Sequence, residues 1–336
     1  MKRNLWVTLA AAAAVFAAIA LAASSGYKVV DKIKVGGTGG WDYPFVDSAA
    51  GRLYLSHTNQ TEVVDLATGK VLGDIPETTG VHGIAIAANG HGYISAGRAN
   101  AVVIFDTKTL ATVGKIEDTG KNPDAILYEP ASKRVITFNG TSKDASIIDT
   151  ATDKVVATIP VGGKPEFAQA DGKGHAYFNI EDTAEILEMD VAKASITKRI
   201  SIKPCEGPSG LAMDTAKRRL FAVCGNKMMA VVDPDKGAVL ATPEIGQGPD
   251  GVAFDSGMAF SANGRDGTIT VVAETSPGKF EPIDTVATAA GARTIAADPK
   301  THRLYLPNAE NGPPPEGKKG RGAIIPDTFH VVVVGK

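Results

Sequence analysis

Three observations in this 336-residue sequence predict an all-β fold, a seven-bladed β-propeller of four-stranded antiparallel blades whose last blade is closed by the N-terminal strand. First, residues 120–163 hold four short apolar or β-branched runs, AILYE, RVITF, SIID and KVVATIPV, each bounded by Gly, Pro, Asn, Asp or Ser. That pattern is one antiparallel meander. Second, the meander recurs: the Asp closing its third run aligns as Asp65, Asp106, Asp149, Asp190 and Asp233, at spacings of 41, 43, 41 and 43 residues, with Ala273 in the sixth copy 40 residues later. Third, the two ends are complementary. The seventh copy stops after a third strand at 329–334, and the fourth strand it lacks stands alone before the first copy, as YKVVDKIKVG at 27–36. Pairing the two closes the ring and leaves only short, protected edges.

Taken in order, residues 1–22 read as a cleaved export signal. Lys2 and Arg3 precede an apolar stretch from Leu5 to Leu21, and Ala20-Leu21-Ala22 supplies small residues at the cleavage-site spacing. The alternative is an uncleaved anchor, since 17 apolar residues sit at the lower limit for a span. No later segment is apolar enough to cross a membrane, so the mature chain is expected to be periplasmic or secreted. Copies then start near Gly37, Thr79, Gly120, Gly162, Lys203, Gly246 and Ala289 with no linker, so 27–336 is expected to be a single propeller domain and a monomer. A composition of 43% hydrophobic and 21% charged residues suits a packed domain. Losing Lys2 and Arg3 takes the formal charge from −2 to −4, and with 6% aromatics this speaks against nucleic acid as a partner. Lys217-Arg218-Arg219 reads as a solvated hairpin turn, and no segment after the signal reads as a helix.

The second strands and their turns, LYLSHTN at 53–59, GYISAGR at 92–98, RVITFNG at 134–140, LFAVCGN at 220–226, MAFSANG at 258–264 and LYLPNAE at 304–310, resemble the YVTN repeat. So does the V-V-D-x-x-T-x-K-V-V continuation at 63–72 and 147–156. Over residues 27–336 the chain is similar to the YncE-like periplasmic seven-bladed propellers. The resemblance implies the fold and leaves the activity open, because one propeller scaffold carries binding, lactone hydrolysis, lyase and electron-transfer roles.

In a meander blade the first strand lines the channel, and the loop entering it shares a face with the turn between the second and third strands. Aligning the entering loops on Gly248-Pro249-Asp250-Gly251 gives one side chain per blade: Asp42, His82, Asp124, Glu166, Ser209, Asp250 and Arg293. Six of the seven are ionisable. Such a ring suits a converging binding site, and equally a wet, hydrogen-bonded channel lining with no ligand. His57, in the mouth turn of blade one, is expected to approach the same side. His and carboxylate groups there suit a divalent metal or a proton shuttle, and Arg293 suits a carboxylate or phosphate. His91, His175 and His302 fall on the opposite face.

The seventh copy inserts ENGPPPEGKKGRGAIIPDT at 310–328, a loop long enough to be a lid, and its Lys318, Lys319 and Arg321 would meet an anionic ligand first. Cys205 and Cys224 fall in the entering loop and at the second-strand end of one blade, within disulfide reach. No G-x-S-x-G elbow, P-loop, C-x-x-C-H haem site or dinucleotide fingerprint is present. The expected function is an exported binding propeller holding a small molecule, an anionic one included, or a loop of a periplasmic protein at the mouth. The alternative is a lactonase-like hydrolase or lyase using His57 or His82 beside a carboxylate-bound metal.

Overall fold

The computed structural model describes residues 24–314, 316–317 and 322–336. The expected export signal and the lid residues Lys318, Lys319 and Arg321 lie outside the described residues. Seven four-stranded antiparallel sheets are arranged as blades. Blade one comprises Trp41–Asp47, Arg52–His57, Gln60–Asp65 and Val71–Ile75, in that order from the channel outwards. The innermost strands of the following blades are Val81–Ile86, Pro123–Glu129, Pro165–Ala170, Pro208–Asp214, Pro249–Asp255 and Ala296–Asp298. The ring closes as the sequence predicts. Lys28–Lys34 adds to the outer edge of His330–Gly335, with Lys28 opposite Gly335 and Lys34 opposite His330. A 3-10 turn at Gly97–Ala99 is the only helix among the described residues, and no helix there is long and apolar enough to cross a membrane.

The residue that marks the repeat has a structural reason. Asp65 Oδ1 accepts from Thr68 N and Thr68 Oγ1, both at 2.7 Å, and Asp106, Asp149, Asp190 and Asp233 cap the same hairpin in their own blades. An Asp at that position bonds backbone N–H groups the turn leaves unpaired, which stops the strands at a fixed length. Where Ala273 replaces it, the hairpin runs on: Thr268–Ser276 and Lys279–Ala287 have 9 residues each.

Between blades the buried layer is made by alternate residues of the middle strands, among them Leu53, Leu55, Ile147, Phe178, Phe260 and Val331, all wholly or almost wholly inaccessible. The basic hairpin 217–219 is tied down: Arg218 Nε lies 2.9 Å from both Asp235 carboxylate oxygens, and Lys217 Nζ lies 2.7 Å from Glu274 Oε2 of the next blade. Cys205 and Cys224 form the expected disulfide, with Cα atoms 5.4 Å apart. It ties the loop entering blade five to the end of that blade's second strand.

Candidate functional site

A β-bulge aims the ring into the channel. In blade one Trp41 pairs with His57 but Pro44 pairs with Leu55, so three steps on the inner strand match two on its neighbour. One extra residue is also accommodated at the same place in blades two to six. An inserted residue turns the local side chains out of the regular alternation. Polar groups on the second strands hold the distorted backbone: Ser56 Oγ accepts from Asp42 N at 2.7 Å, Ser95 Oγ accepts from Gly83 N at 2.8 Å, and Asn179 Nδ2 donates to Ser209 O at 2.8 Å. Asp42, His82, Asp124, Glu166, Ser209 and Asp250 are each the second residue of an inner strand, while Arg293 precedes the shortened strand of blade seven.

Three of these side chains meet. His82 Nδ1 lies 2.6 Å from Asp42 Oδ2 and 3.6 Å from Asp124 Oδ1. Asp124 is 8% exposed, and its Oδ1 has no hydrogen-bond partner among the described residues. Both basic side chains nearby are committed elsewhere. Lys164 Nζ is 2.5 Å from Glu166 Oε1 and from Glu181 Oε2, and Arg293 Nε is 2.8 Å from Asp250 Oδ2. Arg293 also donates from Nη2 to Trp41 O at 2.7 Å and sits over the Trp41 ring. Ser209 Oγ donates to Pro249 O at 3.3 Å.

The electrostatics follow from burial. Burial pushes the Asp124 carboxyl up to about 6; His82 opposes this, and Asp42 adds to it. Glu166 is pushed up to about 8 by burial and then by Asp124, against the pull of Lys164. Burial and Asp42 also raise Asp250, with Arg293 opposing. Burial alone would lower the His82 pKa, but its hydrogen bond to Asp42 and the charges of Asp124, Asp42 and Glu166 raise it overall. The mouth therefore carries more carboxyl groups than it can ionise together, and it holds protons near neutrality.

His57 is not brought to this cluster. It is 3% exposed, stacks on Phe329 at 4.3 Å between blades one and seven, and faces Glu62 Oε1 at 3.3 Å. Strand alternation turns it into the blade-to-blade layer, away from the channel. The base of the 310–328 insertion is a short hairpin, with Gly312 N bonded to Ala323 O at 2.8 Å, pinned to blade one by Asp327 N donating to Gly37 O at 2.8 Å. On the opposite face His91 pairs with Asp153, His175 with Asp171 and His302 with Asp255.

Two features escape the alignment of entering loops. One is Lys164, just before the inner strand of blade four and two residues from Glu166, a spacing that could have flagged it. The other is the residue after each ring member: Tyr43, Gly83, Ala125, Phe167, Gly210, Gly251 and Thr294. In blades five to seven these positions let the backbones touch. A Cβ on Gly210 would lie 2.8 Å from Gly251 Cα, and one on Gly251 would lie 2.9 Å from Thr294 Cα. Beside blades one to four the channel instead widens into a chamber of about 430 Å³, lined by Tyr43, Phe45, Ile84, Ile126, Tyr128 and Phe167. It runs towards the opposite face, reaching Pro130 and Gly172. Tyr43 belongs to both halves of the channel: its ring meets Phe167 edge-on at 4.8 Å, and its hydroxyl lies 3.5 Å from Glu166 Oε2.

Comparison with known proteins decides the architecture. The WD40 repeats of RRP9 superpose with a TM-score of 0.77 at 8% identity, covering 93% of this chain and 98% of that one. U3-55K gives 0.76 at 8% identity, over 90% and 98%. The chain is a seven-bladed β-propeller. A hydrazine synthase chain of Kuenenia stuttgartiensis gives 0.69 at 14% identity, covering 81% of this chain and 93% of that one. These likenesses speak for fold alone. Antigen Lp49 of Leptospira interrogans serogroup Icterohaemorrhagiae serovar copenhageni is 29% identical over 137 residues, 38% of this chain. The match spans 30% of that antigen's length. No family model matches the chain.

Proposed function

We propose that this is an exported binding propeller of the YVTN, YncE-like kind, which takes a small molecule or a loop of a periplasmic protein at the acidic mouth of its channel. The observation that carries the reading is the meeting of Asp42, His82 and Asp124 with a buried carboxylate oxygen left unbonded. A buried acceptor without a partner costs free energy that a bound donor or cation recovers. Because Lys164 and Arg293 are already paired, a ligand presenting positive charge or hydrogen-bond donors fits better than the anionic one suggested by Lys318, Lys319 and Arg321. Export is supported by the basic and apolar start of the sequence and by the disulfide, which suits an oxidising compartment. Thermal-shift screening with amines, divalent ions and candidate partner peptides tests the reading. A ligand at about 100 times its Kd adds roughly 2.7 kcal/mol, and Asp124→Asn should abolish that gain. Ligands that stabilise the wild type and the variant equally would refute the mouth as the site.

A second reading, a lactonase-like hydrolase or lyase, draws support from the 2.6 Å His82–Asp42 pair beside Glu166, whose carboxyl burial and Asp124 push up to about 8. Turnover of sugar lactones that is lost in His82→Ala would establish it. Full activity in that variant would dismiss it.

A further inference from the structure

Among the described residues the mouth contains one place where charge is not balanced, and resting on the reading above, its chemistry narrows the ligand. Glu166 and Glu181 share Lys164, and Asp250 has Arg293. Asp42 and Asp124 have no ion pair to Lys or Arg among the described residues; they share the single imidazole of His82. One carboxylate oxygen from each Asp and a ring nitrogen of His82 all lie within 4.8 Å of one another. Three groups from three adjacent blades thus present one oxygen or nitrogen apiece to a common point.

We propose that Asp42, His82 and Asp124 bind a divalent first-row transition ion of the zinc or manganese class. Donor atoms about 2.1 Å from an ion at tetrahedral or octahedral angles stand roughly 3.0 to 3.4 Å apart. The Nδ1–Oδ1 separation of 3.6 Å between His82 and Asp124 is close to that span, and the 2.6 Å contact between His82 and Asp42 needs to open by less than an ångström. The ion takes the place of the proton shared by His82 Nδ1 and Asp42 Oδ2, and it gives Asp124 Oδ1 the partner it lacks. Two carboxylates and an imidazole form a mixed O/N set suited to such ions rather than to the oxygen cage of calcium or the thiolates of a copper(I) site. Three protein donors leave positions open, and those face the mouth, where a ligand carboxylate, carbonyl or water can complete the sphere. The backbone at the three donors is held by Ser56 Oγ, which accepts from Asp42 N, and by Ser95 Oγ, which accepts from Gly83 N and donates to Asp124 O.

Titration of the purified protein, freed of metal by a chelator, with Zn²⁺ and with Co²⁺ tests this. One ion per chain is expected, with Co²⁺ giving visible absorption bands. Asp124→Asn and His82→Ala should each weaken binding at least tenfold and remove the bands. His91→Ala, which removes the His91–Asp153 pair of the opposite face, should leave both unchanged. Should His82→Ala fail to fold, the isosteric Asp124→Asn decides. No stoichiometric binding by the wild type, or binding that survives both mouth substitutions, overturns the proposal. The mouth reading fails separately: an amine or peptide whose binding is weakened by Asp124→Asn in the absence of metal keeps that reading while the metal site falls.

Discussion

The two halves of the channel are built from successive residues of the same strands, yet they obey opposite rules. The mouth collects Asp42, His82 and Asp250, which are half-buried, and Asp124 and Glu166, which are buried, and these groups are imperfectly neutralised. The chamber next to it is walled by apolar side chains, Tyr43 and Ile84 buried and Phe45 and Phe167 half-buried, with Tyr43 and Phe167 meeting edge-on. One residue of offset at the bulge separates the two. The mouth gives up stability for converging charge, and the chamber supplies packing at the same radius. Substitutions in the mouth should therefore alter binding and pH response, and those in the chamber wall should alter stability.

The comparison presupposes a closed ring, and breaking that closure gives the largest effect. Deleting residues 28–34 removes the outer strand of blade seven and exposes the Val331-Val332-Val333-Val334 edge. Unpaired apolar edges recruit other chains. Size-exclusion chromatography should show aggregation, and a soluble monomer with unchanged melting temperature would show that the ring closes otherwise. Next come Tyr43→Ala and Phe167→Ala, each expected to cost about 3 kcal/mol by opening the chamber wall. Denaturant unfolding measures this. If either costs less than the mouth substitution Glu166→Gln, the two halves do not differ as described. Replacing Cys205 and Cys224 by Ser should cost about 3 kcal/mol, because the disulfide spans a sequence separation of only 19.

A finer distinction lies in pH. A carboxyl with a raised folded-state pKa keeps its proton in the native state after the unfolded chain has lost it. Stability therefore falls as pH climbs from about 4 through about 6 for Asp124 and through about 8 for Glu166. His82, also raised, contributes stability below about 6.5 that is lost as pH rises through its folded value. All three act in the same direction, so the melting temperature should rise as pH is lowered from about 8 to about 5. Below about 4 the hairpin carboxylates Asp65 and Asp106, held low by their Thr partners, take up protons and the trend reverses. Asp124→Asn and Glu166→Gln should flatten the rise between 5 and 8, and an unchanged slope in both would contradict the stated charge states.

Local chemistry made most of the fold legible. The Asp caps, the strand runs and the orphan strand at 27–36 each act within a few residues, so the period, the ring closure and the position of the ring side chains follow from sequence. The disulfide was legible for the same reason, since Pro208 opposite Cys224 fixes the register beside Cys205. His57 was not, because a residue at a strand end faces either the mouth or the blade-to-blade layer according to how Phe329 of another blade packs. The chamber was hidden as well. It exists because large residues fall in blades one and four and glycines in two, five and six, a difference between copies that aligning their common features discards.

The most direct test of the whole account is the response of Asp124 to occupancy of the mouth. An NMR titration of its side-chain carboxyl, followed with and without Zn²⁺, should show protonation with a midpoint near the raised value of about 6 in the free protein. Saturating ion should abolish that step, because a coordinated carboxylate stays ionised. A midpoint near the ordinary aspartate value of about 4, unchanged by the ion, would contradict both the buried, unpartnered Asp124 and the function built on it.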